Sequence, residues 1–151
     1  MFCVGPSESL KFVTSEKSVE TWMHRGVLSC GPETPVEEVA KTMASEDISA
    51  LVVTDEGGNA VGVISRTDLV NARFVQPYMK HWRGMTASHL MSQPVVSVPP
   101  EASVREAAQM MQEKNVHRVV VGVHEGEKLK PVGILSVTDL VRHASESTEL
   151  A

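Results

Sequence analysis

Apolar residues along this chain fall at two spacings, and the changes between them mark its elements. After Thr34-Pro35, the residues Val36, Val39, Ala40 and Met43 stand at i, i+3, i+4 and i+7, the spacing of one buried helix face. Thr34, Pro35 and Glu37 fit an N-cap, a first-position proline and an N3 carboxylate, which together make a capping box. Val104, Ala107, Ala108 and Met111 repeat that spacing. There Ala102 stands where Thr34 stood, and Ser103 with Glu106 offers a substitute box one residue later. Each helix leads to a run rich in β-branched residues, 48–53 and 116–123, suited to a largely buried strand. A second strand is expected over 60–64 and 131–135. The turns before it are Asp55-Glu56-Gly57-Gly58-Asn59 and the longer, basic-ended stretch 124–130. Ser65 and Ser136 then cap a last helix, with Asp68 and Asp139 at N3. Upstream, Ser18 and Thr86 precede short helical stretches at 19–23 and 87–91. These lead into apolar runs at 27–30 and 95–98.

Every one of these elements occurs twice. The plainest sign is Gly62-Val63-Ile64-Ser65-Arg66-Thr67-Asp68-Leu69-Val70, which recurs as Gly133-Ile134-Leu135-Ser136-Val137-Thr138-Asp139-Leu140-Val141. Matching positions differ by 68 through the first half (36 to 104) and by 71 at the end (68 to 139). The extra residues fall in the turn, where insertion costs little. Each copy reads helix–strand–helix–strand–strand–helix. Neither has enough core alone, so the two are expected to pack pseudo-symmetrically. The expected organisation is an extension at 1–17, repeats at 18–73 and 86–143, a linker at 74–85 and a tail at 144–151. The connecting stretch 71–85 holds Arg73, Lys80, His81 and Arg83 with Phe74, Tyr78 and Trp82, interrupted by Pro77 and Gly84. It reads either as a crossover with a solvated face or as a basic, aromatic contact surface.

Composition narrows the classes. Across 151 residues, 42% are hydrophobic and 22% charged, as in a globular chain. The net charge of −5 argues against phosphate-backbone binding, so nucleic acid is not an expected partner. The two cysteines, Cys3 and Cys30, have no pairing pattern. The start of the chain lacks a signal-peptide pattern, and no stretch has membrane-spanning length. A cytoplasmic location and no membrane partner are therefore expected. Six histidines (His24, His81, His89, His117, His124, His143) show no zinc spacing. No nucleophile elbow, Walker loop or dinucleotide fingerprint occurs. Gly57, Gly58 and Gly62 read as hairpin glycines and not as a phosphate cradle. The eight methionines read as core filler. An enzyme is not expected, and no metal site.

Duplicated in this way, residues 18 to about 143 resemble a tandem pair of CBS domains, a Bateman module. The resemblance rests on Gly, two apolar residues, Ser, two residues and Asp, twice, each time after a strand and before a helix. It implies an α/β (α+β) fold: two pseudo-symmetric β-α-β-β-α units packed through their small sheets, leaving two clefts. It also implies a disc-like homodimer. The function it implies is regulation of a separate, unidentified partner protein through an adenosine-containing ligand, AMP, ADP, ATP or S-adenosylmethionine. No obligatory cofactor is implied.

By the same resemblance Asp68 and Asp139 match a ribose-binding aspartate. A carboxylate accepts from two vicinal hydroxyls, so one Asp can grip a 2′,3′-diol. Ser65, Thr67, Ser136 and Thr138 stand at the helix starts, where hydroxyls and open N–H groups suit ribose or phosphate oxygens. The same residues also make ordinary caps. His117-Arg118 is the feature in which the copies differ, because Ser49-Ala50 stands at the matching place. The gamma subunit of AMP-activated kinase, a member of the resembled family, carries a similar pair that contacts phosphate. A guanidinium fork and an imidazole donor suit that task. Alternatively the pair merely alternates across a half-buried strand. Lys128 and Lys130 read as assisting cations or as a solvated turn. In a head-to-head dimer, His117-Arg118 of one chain would reach a phosphate held by the other. The competing function is a ligand-independent dimerisation or scaffolding module.

Overall fold

The computed structural model describes residues 18–75 and 82–146. In chain order its elements are α1 (Val19–Trp22), β1 (His24–Arg25), β2 (Ser29–Cys30), α2 (Val36–Glu46), β3 (Ala50–Thr54), β4 (Ala60–Ser65), α3 (Arg66–Phe74), α4 (Ala87–Leu90), β5 (Ser97–Val98), α5 (Val104–Lys114), β6 (Arg118–Glu125), β7 (Lys128–Ser136) and α6 (Val137–Glu146). This is a mixed α+β fold with two small sheets, ordered β2-β3-β4 and β1-β7-β6-β5. The expected extension at 1–17, the middle of the linker with Tyr78, Lys80 and His81, and the end of the tail lie outside the described residues.

The duplication is visible in the register. β2 runs parallel to β3 with Ser29 opposite Val52 and Cys30 opposite Val53. β5 runs parallel to β6 with Ser97 opposite Val120 and Val98 opposite Val121. In each copy the first residue of the last helix is tied to the residue before the first long strand. Arg66 N–H donates to Ser49 C=O, and Val137 N–H to His117 C=O, both at 2.9 Å.

The chain divides into two compact units, which are not the sequence repeats. One unit holds Gly26–Val96 and the hairpin tip His124–Pro131. The other holds, among the described residues, 18–25, Ser97–Val123 and 132–146. Each repeat thus contributes its leading helix to the other repeat's unit. In the second-repeat unit, Val19 N–H donates to Ala102 C=O at 2.8 Å and β1 pairs antiparallel with β7. In the first-repeat unit, Ala87 N–H donates to Thr34 C=O at 2.8 Å, and Ser92 pairs with Val63. The packing cuts across the expected repeats at 18–73 and 86–143.

The predicted helix faces are the ones that pack. Val36, Val39 and Met43 of α2 are buried with Leu51, Val53 and Ile64, and Ala87 of the exchanged α4 is buried among them. In the other unit Val19, Ala107, Met111, Val119, Val121 and Leu135 are buried. Two local expectations change. Thr34 does not cap α2: its Oγ1 accepts from Gly31 N–H at 3.0 Å, Pro35 takes the N-cap, and Val36 N–H finds Met85 C=O at 3.0 Å. The stretch 124–130 is mostly strand, because the inserted residues lengthen the β6–β7 hairpin, which turns at Gly126 with φ +66°. The substitute box forms as expected, with Glu106 N–H donating to Ser103 Oγ at 3.0 Å and Ser103 N–H to Glu106 Oε1 at 2.8 Å.

Candidate functional site

Both candidate carboxylates sit where a strand runs directly into a helix. In the first-repeat unit, Ser65 ends β4 and caps α3: Asp68 N–H donates to Ser65 Oγ at 3.2 Å, and Ser65 N–H to Asp68 Oδ2 at 2.8 Å. In the second-repeat unit, Ser136 ends β7 and Asp139 N–H donates to Ser136 Oγ at 3.1 Å. There Ser136 gives both its N–H, at 2.9 Å, and its hydroxyl, at 3.1 Å, to Asp139 Oδ2. The expected capping role is present in both copies. It fixes each carboxylate against the first turn, where the helix dipole favours negative charge.

Beyond the caps the copies part. Asp68 is half-buried, and among the described residues its Oδ1 accepts no hydrogen bond. Asp139 is 1% exposed, with His24 Nε2 at 3.1 Å and Arg142 Nη2 at 2.9 Å from its Oδ1. Thr67 and Thr138 are exposed on the first turns, with hydroxyls unengaged among the described residues. His117 is exposed and Arg118 partly buried at the head of β6. The His117 carbonyl bond to Val137 N–H brings this pair beside Ser136, Thr138 and Asp139. β6 is buried at Val119, Val120, Val121 and Gly122 in succession, so the alternation expected of a half-buried strand is absent.

Two residues of this neighbourhood carry no sequence signal. His24 follows the exchanged helix and reaches Asp139 only because β1 pairs with β7, with His24 opposite Ile134. Arg142 is one helical turn past Asp139, an ordinary i,i+3 pairing. Close by, the Trp22 and His143 rings stack with centroids 4.6 Å apart.

The remaining candidate chemistry is structural. Asp55 Oδ1 accepts from Gly57 N–H and Asn59 N–H, both at 2.9 Å. The Asn59 backbone N–H above all, helped by its side chain, Gly57 and the Lys128 charge, holds the Asp55 carboxyl below its ordinary range. Lys130 donates to Gly57 C=O at 2.6 Å, so it braces this turn. Burial pushes the Cys30 thiol up, against a smaller opposing effect of Thr34. Gly62 is not a hairpin residue; it lies inside β4 under Met91. In the connecting stretch, the Arg73 guanidinium lies 5.4 Å from the Phe74 ring centre and 6.0 Å from that of Trp82. Among the described residues no three potential ligands gather to hold a metal ion. No described helix is long and apolar enough to cross a membrane.

Comparison with known proteins agrees with this geometry. The chain is 30% identical over 125 residues to the uncharacterised protein MK0525 of Methanopyrus kandleri, covering 83% of this chain. It spans 61% of that relative's length. The CBS domain pair of MJ0100, solved with 5′-methylthioadenosine and S-adenosyl-L-methionine, superposes with a TM-score of 0.76 at 21% identity, over 87% of this chain and 98% of that one. CBSX2 of Arabidopsis thaliana, solved with AMP, gives 0.69 at 25% identity, over 85% of this chain and 96% of that one. The family model for the CBS domain matches residues 17–74 and again 87–146. With both copies matched from leading helix to last helix, the chain belongs to the CBS-domain family as a tandem pair.

Proposed function

We propose that this chain is a regulatory module that binds an adenosine-containing ligand, AMP, ADP, ATP or S-adenosylmethionine, and modulates a separate protein in the cytoplasm. Asp68 carries the reading. It is a half-buried carboxylate fixed by its cap, with one oxygen unengaged among the described residues and the exposed Thr67 hydroxyl beside it. A neutral vicinal diol offers the two O–H donors such an oxygen pair accepts. The Ser65 hydroxyl accepts from Asp68 N–H and keeps its own proton to donate to a ligand oxygen. The matching positions of the second repeat are Ser136, Thr138 and Asp139, and His117 with Arg118 offers donors for phosphate. CBSX2, at 25% identity over most of this chain, is a protein solved with AMP, which supports the ligand class.

Self-association belongs to the same reading. Val70 and Phe74 are exposed one turn apart on α3, at 52% and 68%. Val137 and Val141 repeat the arrangement on α6, at 39% and 63%. Apolar pairs left in solvent on matching helices suit contact with a second copy. They also favour the competing function, a dimerisation module that takes no ligand.

A thermal-shift panel separates the two. A ligand that binds only the folded chain stabilises it by about 2.7 kcal/mol at a hundred times its Kd, so millimolar AMP, ATP or S-adenosylmethionine raises Tm. No shift with any of them leaves the ligand-independent function. Arg118→Ala weakens AMP and ATP more than adenosine; equal losses for all three reject the phosphate role.

A further inference from the structure

We infer that the two copies of the motif are not two ribose sites: the chain grips one diol, at Asp68, and fills the second carboxylate, Asp139, from within by His24 and Arg142. The inference rests on the adenosyl-ligand reading above and specifies where that ligand sits.

An ionised carboxylate offers about four lone-pair directions. Around Asp139 three donors are already hydrogen-bonded, Ser136 N and Oγ on Oδ2 and Arg142 Nη2 on Oδ1, and His24 Nε2 stands 3.1 Å from Oδ1. At 1% exposure, no hydroxyl from solvent can reach either oxygen without displacing one of them. Neutral hydroxyls are poor replacements for a guanidinium, whose charge-assisted bond is roughly twice as strong as a neutral one. Around Asp68 the only donor among the described residues is Ser65 N, on Oδ2. Oδ1 is left for a ligand.

The difference has an address in the sequence. The first-repeat counterpart of His24 is Ser92, and that of Arg142 is Asn71. The backbone places them equivalently, since His24 lies opposite Ile134 and Ser92 opposite Val63. Neither Ser92 nor Asn71 is bonded to Asp68 among the described residues. Both are exposed, so the positions tolerate exchange. His24 and Arg142 thus determine how many ligands the chain takes.

Calorimetric titration of the whole chain with AMP, and separately with S-adenosylmethionine, is expected to give one equivalent per chain. In a ¹⁵N–¹H titration of the unaltered protein, the amides of residues 65–69 shift most and those of residues 136–140 far less. Copying the closed arrangement into the open copy, Asn71→Arg with Ser92→His, is expected to weaken binding at least tenfold. Should that variant not fold, the stoichiometry and the amide map still decide. Two equivalents per chain, shifts centred on residues 136–140, or unweakened binding in the folded variant overturns the inference while leaving the adenosyl reading intact. Absence of binding by both ligands at millimolar concentration removes that reading, and this inference with it.

Discussion

Asp68 and Asp139 share a motif, a cap and a place on their helices, yet removing their side chains has unequal consequences. Asp68→Ala loses the acceptor for Ser65 N–H, a capping contact worth about 1 kcal/mol. Asp139→Ala strands Ser136 N and Oγ and the Arg142 guanidinium around an enclosed position, and removes the carboxylate beside His24. Arg142 keeps solvent on one side, with 44% of its side chain exposed, which softens the loss. The expected cost is about 2–3 kcal/mol, in the range for buried hydrogen-bonded groups left without partners. Urea denaturation of the two variants measures both; equal midpoints would contradict the contrast. The motif and its capping role were legible from Ser-x-x-Asp alone, because a cap is local chemistry. The closure of Asp139 was not, because His24 lies more than a hundred residues away and reaches it only through strand pairing.

At the scale of elements, the glycine that opens each motif copy has a task the linear pattern hides. A Cβ on Gly62 would lie 2.5 Å from Met91 Sδ, and one on Gly133 2.5 Å from Met23 Sδ and 2.6 Å from His24 C=O. Each strand leaves out a side chain where the methionine after an exchanged helix crosses it. The repeat showed that the glycines matched, but a β-strand glycine reads equally well as a hairpin or bulge residue. Helix faces were legible because periodicity is set by the element itself; the Met–Gly fit joins residues from different repeats. Overpacking a close fit costs about 1–3 kcal/mol. Gly133→Ala is expected at the upper end, since a backbone carbonyl cannot swing aside, and Gly62→Ala somewhat lower, since Met91 can turn its Sδ and Cγ away although its Cβ, at 2.8 Å, must shift with the backbone. Thermal denaturation ranks them. Met23→Ala should recover part of the Gly133→Ala loss and none of the Gly62→Ala loss.

For the whole molecule, the exchange of leading helices decides which part of the chain depends on which. Periodicity gave two repeats, yet no local rule says that residues 18–25 belong with the second of them. The partner was chosen by the backbone bonds from Val19 to Ala102 and from β1 to β7. A substitution near the start of the chain should therefore weaken the unit farther along it. Val19 is 0% exposed, and Val19→Asp forces an unpaired carboxylate into that core. Burial of an ionisable group without a partner costs several kcal/mol, enough to open one unit of a marginally stable fold. Hydrogen exchange by mass spectrometry locates the damage. Peptides spanning α5, the base of β6 and α6 are expected to exchange at least tenfold faster in Val19→Asp. Peptides from α2, β3 and β4 should change less, although those elements belong to the same sequence repeat as Val19. Faster exchange confined to α2, β3 and β4 would mean that the leading helix stabilises its own repeat and that the exchange is not how this chain is held together.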